Sequence, residues 1–150
     1  MKLFLWFTAL LVFLLVLLQC EQKPPQHSSM CGAWSMIQGT YIGAGINTVY
    51  NQDERICYKL ISDEHFAVIE MFKANPESLF FAAVGTYKWT DSTYTEIYEA
   101  ANDPAKVGQS LTFRSSVKDI YWKISLEQED MMLNETWERQ VKMPLPAAPQ

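Results

Sequence analysis

Between Ala33 and Val141 the side chains repeat with a period of two, and that alternation restricts the chain to a domain built from strands. The clearest run is Ser92-Thr93-Tyr94-Thr95-Glu96-Ile97-Tyr98-Glu99. Its threonines and tyrosines suit a pleated, half-buried surface. In an extended backbone Tyr94, Glu96 and Tyr98 share one face, while Thr93, Thr95, Ile97 and Glu99 share the other. Upstream, Leu79 to Trp89 reads as a strand in which Gly85 marks a bend or a close approach. The short turn at Thr90-Asp91 joins the two as a hairpin.

Further strands follow the same pattern. They are Ala33 to Ile37 (continuing unevenly toward Tyr41), Arg55 to Ile61, His65 to Phe72, Gln109 to Val117, Ile120 to Leu126 and Met132 to Val141. The glycine-rich Gly39 to Gly45 stretch specifies no definite element, and a loop is expected through Asn75-Pro76. Residues 100–108 hold Pro104 and Gly108 and leave room for one helical turn. About eight short strands with short connections are the pattern of an antiparallel meander. Such a meander has exposed edges unless it closes, and closure at this strand number leaves an interior for side chains or one small ligand. The expected fold class is therefore all-β, an antiparallel up-and-down barrel of about eight strands, with a sandwich as the alternative.

The rest of the chain frames this domain. Lys2 followed by an apolar block from Leu3 to Leu18 has the charged and apolar regions of an export signal. A spanning helix needs about 20 apolar residues. This block is shorter and runs into a polar stretch containing Pro24-Pro25 and Ser28-Ser29. The organisation expected is an export signal over residues 1–20, a flexible tether over 21–31, the barrel over 32–142, and a disordered tail over 143–150 with three prolines.

Removing residues 1–19 takes Lys2 from the 12 basic residues, leaving 11 against 17 acidic ones and a formal net charge of −6. An acidic surface without a basic cluster argues against nucleic acid as a partner. In an exported protein Cys31 and Cys57 leave two alternatives open, a disulfide or two buried thiols.

Several motifs carry a resemblance. Leu17-Leu18-Gln19-Cys20 resembles the acceptor site of bacterial lipoproteins, although Gln19 stands where that pattern has a small residue. The resemblance implies a lipid on Cys20 and a membrane-anchored lipoprotein of the bacterial cell envelope, with a soluble periplasmic or secreted protein as the alternative. Gly32-Ala33-Trp34 opens the first strand and Trp137-Glu138-Arg139 closes the last. These resemble the Gly-x-Trp and terminal Arg of lipocalins and their calycin relatives. The resemblance implies that Arg139 packs on the Trp34 ring and seals one barrel end.

Between them, Lys59 to Phe66, Gly85-Thr86-Tyr87, Thr93 to Glu96 and Leu111-Thr112-Phe113 look like the ordered landmarks of a bacterial lipocalin-like domain family. The match runs over residues 32–141 and departs at Gly39–Asn47 and Leu79–Phe81. It implies a ligand-binding barrel and names no ligand.

The expected pocket uses the face of Tyr94, Glu96 and Tyr98, with His65, Tyr87, Trp122 and Glu135 converging on it. Inside the barrel Glu96 needs a donor, and His65 or a tyrosine hydroxyl is the expected one. The opposing reading is a satisfied polar core or an outer face with no ligand. A metal site lacks ligands, since His27 falls in the tether and leaves the domain a single histidine. No catalytic residue is assigned: Ser62, Asp63 and His65 are too close in sequence for a linear relay. The expected role is to hold a small, partly apolar molecule. The alternatives are an interaction module for protein or glycan at the barrel rim, and a hydrolase or isomerase using the polar interior.

Overall fold

The structure, a computed structural model, describes residues 30–43, 45–128 and 130–141. The expected export signal, Cys20, most of the tether and the proline-rich tail lie outside the described residues. Nine strands follow in order: β1 Gly32–Gly43, β2 Ile46–Tyr50, β3 Arg55–Ile61, β4 His65–Phe72, β5 Asn75–Trp89, β6 Thr93–Ala101, β7 Ser110–Lys118, β8 Tyr121–Gln128 and β9 Met131–Gln140. One 3₁₀ turn, Pro104–Lys106, is capped by the Asp103 carboxylate, which accepts from the Ala105 amide.

Every strand pairs antiparallel with its neighbour, and β9 returns to pair with β1 from Ala33 opposite Gln140 to Gly43 opposite Met131. The sheet is therefore closed. Along its other edge β1 pairs first with β3, through Gly32 to Ser35, and then with β2, through Gly39 to Gly43. β2 and β3 are thus two halves of one stave, interrupted at residues 51–54, and the barrel has eight staves. The β1–β9 pairing closes the barrel, as the meander pattern requires, and only the short β2 pairs on a single side.

The structure corrects the expected elements at two places. The Gly39–Gly45 stretch extends β1 and turns into β2 as a hairpin. The expected loop at Asn75-Pro76 is the start of β5, and Asn75 already stands opposite Phe72. Glycine and proline weaken a strand reading from sequence, and here pairing on both sides overrides them.

The interior follows the alternation. On β6 Tyr94, Glu96 and Tyr98 are all buried, as their spacing implies. On β4 the inward residues are Phe66, Val68 and Glu70, and on β8 Trp122, Ile124 and Leu126. On β3 they are Arg55, Cys57, Lys59 and Ile61, so that this strand turns its charged residues inward. Leu60, Ile69 and Val84 lie on the outer face of β3, β4 and β5, exposed at 49%, 39% and 47%.

One pole of the barrel is sealed. The Arg139 guanidinium sits 4.2 Å above the Trp34 ring and donates to the Cys31 carbonyl at 2.7 Å. The Trp34 indole N–H donates to the Met30 carbonyl at 2.9 Å, and Met30 is fully buried. Gly32 has φ +142°, and a β-carbon there would stand 2.9 Å from Arg139 Nη1. The glycine of Gly-x-Trp is therefore what lets the arginine reach across.

Cys31 and Cys57 are both free thiols. Gly32 pairs with Ile61, so Cys57 lies four residues further along β3, roughly 13 Å at the rise of a strand. That exceeds the reach of a disulfide. Cys31 instead donates to Asp63 at 3.4 Å, and Cys57 is buried inside the barrel.

At Gly85 β5 and β6 come so close that a β-carbon would lie 1.9 Å from the Ile97 carbonyl oxygen. The register shifts at the same point, between Val84 and Gly85. Gly85→Ala therefore forces two backbones apart. We expect it to lower the unfolding free energy by about 1–3 kcal/mol or more, read from urea denaturation. An unchanged midpoint would contradict this packing.

Candidate functional site

The sealed half of the barrel is filled by aromatic rings. Trp34 packs edge-on to Trp122 at 5.5 Å, Tyr94 edge-on to Trp122 at 4.8 Å, and Tyr87 lies 5.6 Å from Tyr94. Next to this stack lies the Lys59 ammonium. Its Nζ is 4.7, 5.2 and 5.4 Å from the ring centres of Trp137, Trp122 and Tyr94. It ion-pairs with Glu96 Oε1 at 2.5 Å, and the Tyr98 hydroxyl donates to Glu96 Oε2 at 2.6 Å. The Tyr94 hydroxyl lies buried near the same carboxylate without closing a hydrogen bond. Burial works against the Lys59 charge, but Glu96 and Glu135 outweigh it and lift its pKa above the ordinary value. Lys59 is thus a fixed cation, unsuited to act as a nucleophile at neutral pH.

Beyond Lys59 the barrel opens. A cavity of about 490 Å³ occupies this half. Met36, Val68, Phe81, Leu111, Phe113 and Leu133 supply its apolar walls. Phe80 packs edge-on to Phe72 at the mouth, 5.4 Å between ring centres, and both rings remain partly exposed. Asp103 and Lys106 border the opening from the 3₁₀ turn. The polar groups are few. Arg55 Nη1 stands 2.8 Å from Glu70 Oε1, with the Arg55 guanidinium between the Tyr50 and Phe80 rings. Glu135 accepts from the Tyr41 hydroxyl at 2.7 Å and from the Trp137 indole at 2.9 Å.

Burial pushes up the pKa of every one of these hydroxyl, thiol and carboxyl groups for which a shift is resolved. Desolvation leads for Glu135, opposed by Lys59 and its two hydrogen bonds and reinforced by Glu96. Desolvation also leads for Glu70, opposed by Arg55 and reinforced by Glu135. Tyr41, Tyr98 and Cys57 are raised for the same first reason, with nearby carboxylates adding to it. Glu135 lies deep in the barrel, yet part of its surface faces the open cavity.

The structure divides the expected site residues. Glu96, Tyr98 and Glu135 line the cavity. Tyr94 and Trp122 are buried behind them in the aromatic stack, with the Trp122 indole donating to Ser115 Oγ at 3.0 Å. Tyr87 lies in the sealed half, where its hydroxyl donates to the Ser62 carbonyl at 2.8 Å. His65 is a correction: it is exposed at the start of β4 on the outward phase, at the sealed pole, and cannot serve as the donor to Glu96. Lys59 takes that role together with Tyr98, which was the other expected type of donor.

Sequence reasoning missed Lys59, Arg55, Glu70 and Tyr41. The signal that reaches the first three is the turn at residues 62–64. It sets Ile61 opposite Phe66, so an inward Phe66 brings Ile61, Lys59, Cys57 and Arg55 inward too, and Glu70 follows on the same phase of β4. Among the described residues no three His, Cys, Asp or Glu side chains gather as a metal ion requires.

Compared with known proteins, the sequence matches no family model, and no curated protein sequence matches it. The barrel and its cavity therefore carry the functional argument by themselves.

Removing one partner of a buried ion pair strands the other charge. Lys59→Met is expected to lower stability by about 3–5 kcal/mol in urea denaturation. Adding Glu96→Gln to it is expected to recover more than about 1 kcal/mol of that loss. Strictly additive losses would show that the two groups do not depend on each other.

Proposed function

We propose that this protein is an exported, lipocalin-like barrel that holds a small, partly apolar molecule in its open half. The observation that carries the reading is the cavity of about 490 Å³ between a sealed pole and an open mouth. Its volume lies in the range of small-molecule sites, and its walls are apolar with a few aimed polar groups. A barrel serving only as an interaction scaffold has no need for such a space, since filling it with side chains would add stability. The Arg139–Trp34 seal supports kinship with lipocalin-like proteins, because the same two motifs carried the resemblance in sequence.

The hydrolase and isomerase readings have less behind them. Lys59 and Glu96 are locked in a pair, Arg55 is paired with Glu70, and among the described residues no nucleophile stands beside a free base in the cavity. The interaction-module reading is favoured by one observation, the row of exposed apolar residues Leu60, Ile69 and Val84 across β3 to β5. It is compatible with a ligand inside the barrel and does not replace it.

Two measurements test the proposal. A neutral fluorescent naphthylamine probe is expected to bind one per chain and to quench tryptophan emission. Leu133→Trp, which fills the cavity, is expected to abolish that binding while the melting temperature stays within a few degrees. Probe binding that survives the substitution would place the ligand elsewhere.

For the anchor, we read Cys20 as the lipidated residue, on the resemblance of Leu17 to Cys20 to lipoprotein acceptor sites. Cys20→Ala is expected to move the protein from membrane to soluble fractions in a bacterial host. Unchanged membrane retention would remove the lipoprotein reading.

A further inference from the structure

The charges facing the cavity do not balance. Inside it, Arg55 is ion-paired with Glu70 and Lys59 with Glu96. Glu135 is the third interior carboxyl, and its two oxygens meet only the neutral donors Tyr41 and Trp137. At the mouth Asp103 and Lys106 offset each other. The cation nearest in effect, Lys59, is already paired with Glu96 and only partly offsets the burial of Glu135, which a proton or a further positive partner would relieve.

Glu70 adds to the negative charge around the same space. Arg55 is close enough to its Oε1 for an ion pair but off the line that a hydrogen bond requires, and this buried oxygen has no hydrogen-bond donor. Arg55 therefore offsets the Glu70 charge and leaves none of its own for Glu135. Glu70 is 5% exposed and lines the same space as Glu135, and each carboxylate disfavours ionisation of the other. A donor-rich cation in that space relieves both.

Resting on the ligand-binding reading above, we propose that the ligand is an organic ammonium with an apolar body, its head received by Glu135 in the cavity wall. An anionic head finds no unpaired cation among the described residues of the interior. A neutral head leaves the Glu135 imbalance untouched.

The geometry also provides for the empty state. The Tyr41 hydroxyl lies 2.7 Å from Glu135 Oε1 and 3.6 Å from Met36 Sδ. When Glu135 is ionised the hydroxyl donates to it. When Glu135 holds a proton it donates to the Tyr41 oxygen, and the hydroxyl proton turns to Met36. Either protonation state is therefore accommodated without moving the backbone. The ionisable groups electrostatically coupled to Glu135 are Tyr41 on β1, Cys57 and Lys59 on β3, Glu70 on β4, and Glu96 and Tyr98 on β6. Of these, burial raises the tyrosines and the thiol, the carboxylates raise Lys59, and burial raises Glu135 and Glu70 toward their protonated forms. At a pH where Glu135 holds a proton, an arriving ammonium displaces it to solvent. Affinity accordingly rises with pH, by at most about tenfold per unit, until Glu135 is ionised in the free protein.

The test compares octylammonium, octanol and octanoate, three heads on one apolar body, by calorimetric titration of the whole chain. Octylammonium is expected to bind at least about tenfold more tightly than octanol, and octanoate more weakly than octanol. Heats measured in buffers of different ionisation enthalpy are expected to show proton release with octylammonium alone. Glu135→Gln is expected to bring octylammonium down to the affinity of octanol, while octanol binding is retained. Octanol or octanoate binding as tightly as octylammonium, with no proton released, overturns the ammonium proposal and leaves the binding role standing. Failure of all three to bind overturns both. The proton-release measurement uses the unaltered protein, so the outcome does not depend on how the Glu135 variant folds.

Discussion

A single ammonium group, that of Lys59, divides this barrel into two kinds of interior. It is buried, and it is held by three aromatic faces and the Glu96 carboxylate. Ring faces are electron-rich, so the aromatic stack of the sealed half ends on a positive charge without an unsatisfied surface. Glu96 in turn fixes the Tyr98 hydroxyl, and beyond that point side chains no longer fill the space. An uncharged residue at Lys59 would leave Glu96 as a stranded anion at the floor of the cavity. The closed half, the floor and the open half are thus consequences of one pair.

Much of the architecture was legible in the sequence, and the reason is the two-residue period. Tyr94, Glu96 and Tyr98 share one side of β6, and a closed sheet gives that side only the interior to face. Trp34 and Arg139, 105 positions apart, meet because β1 and β9 pair with Trp34 opposite Arg139. The period fails to give direction where both faces carry apolar residues. On β3 the apolar face, Ile56, Tyr58 and Leu60, points outward, and the charged face Arg55, Cys57, Lys59 points in. Hydrophobicity alone chooses the wrong side there, because each inward charge has a partner on another strand that the β3 sequence does not contain. His65 was misplaced for a related reason. It belongs to the outward phase of β4, and a histidine looks functional wherever it stands.

The broken second stave shows a different limit. The interruption at residues 51–54 is held by turns in which both Glu54 and Arg55 donate backbone N–H groups to the Asn51 carbonyl. It ends with the Tyr50 hydroxyl donating to the Arg55 carbonyl at 3.1 Å. These local bonds set where β3 resumes, and so which way Arg55 points toward Glu70. Glycines in Gly39 to Gly45 conceal the hairpin to which they belong, because glycine carries no side chain whose face could be read. What remained hidden is therefore the half of the cavity wall that depends on irregular backbone.

The seam between β1 and β9 joins the beginning of the described chain to its end, with Arg139 reaching the Cys31 carbonyl across 108 positions. A ribosome must release nearly the whole domain before that seam exists. Until then the sheet is an open curl, with Lys59 and its partners bathed in water and two bare edges available to other chains. Sealing must wait for the last stave, and the full desolvation of the four buried charges Arg55, Lys59, Glu70 and Glu96 waits with it. Biogenesis of this barrel is accordingly most exposed to aggregation just before completion, and a helper that shields sheet edges would act on that final interval.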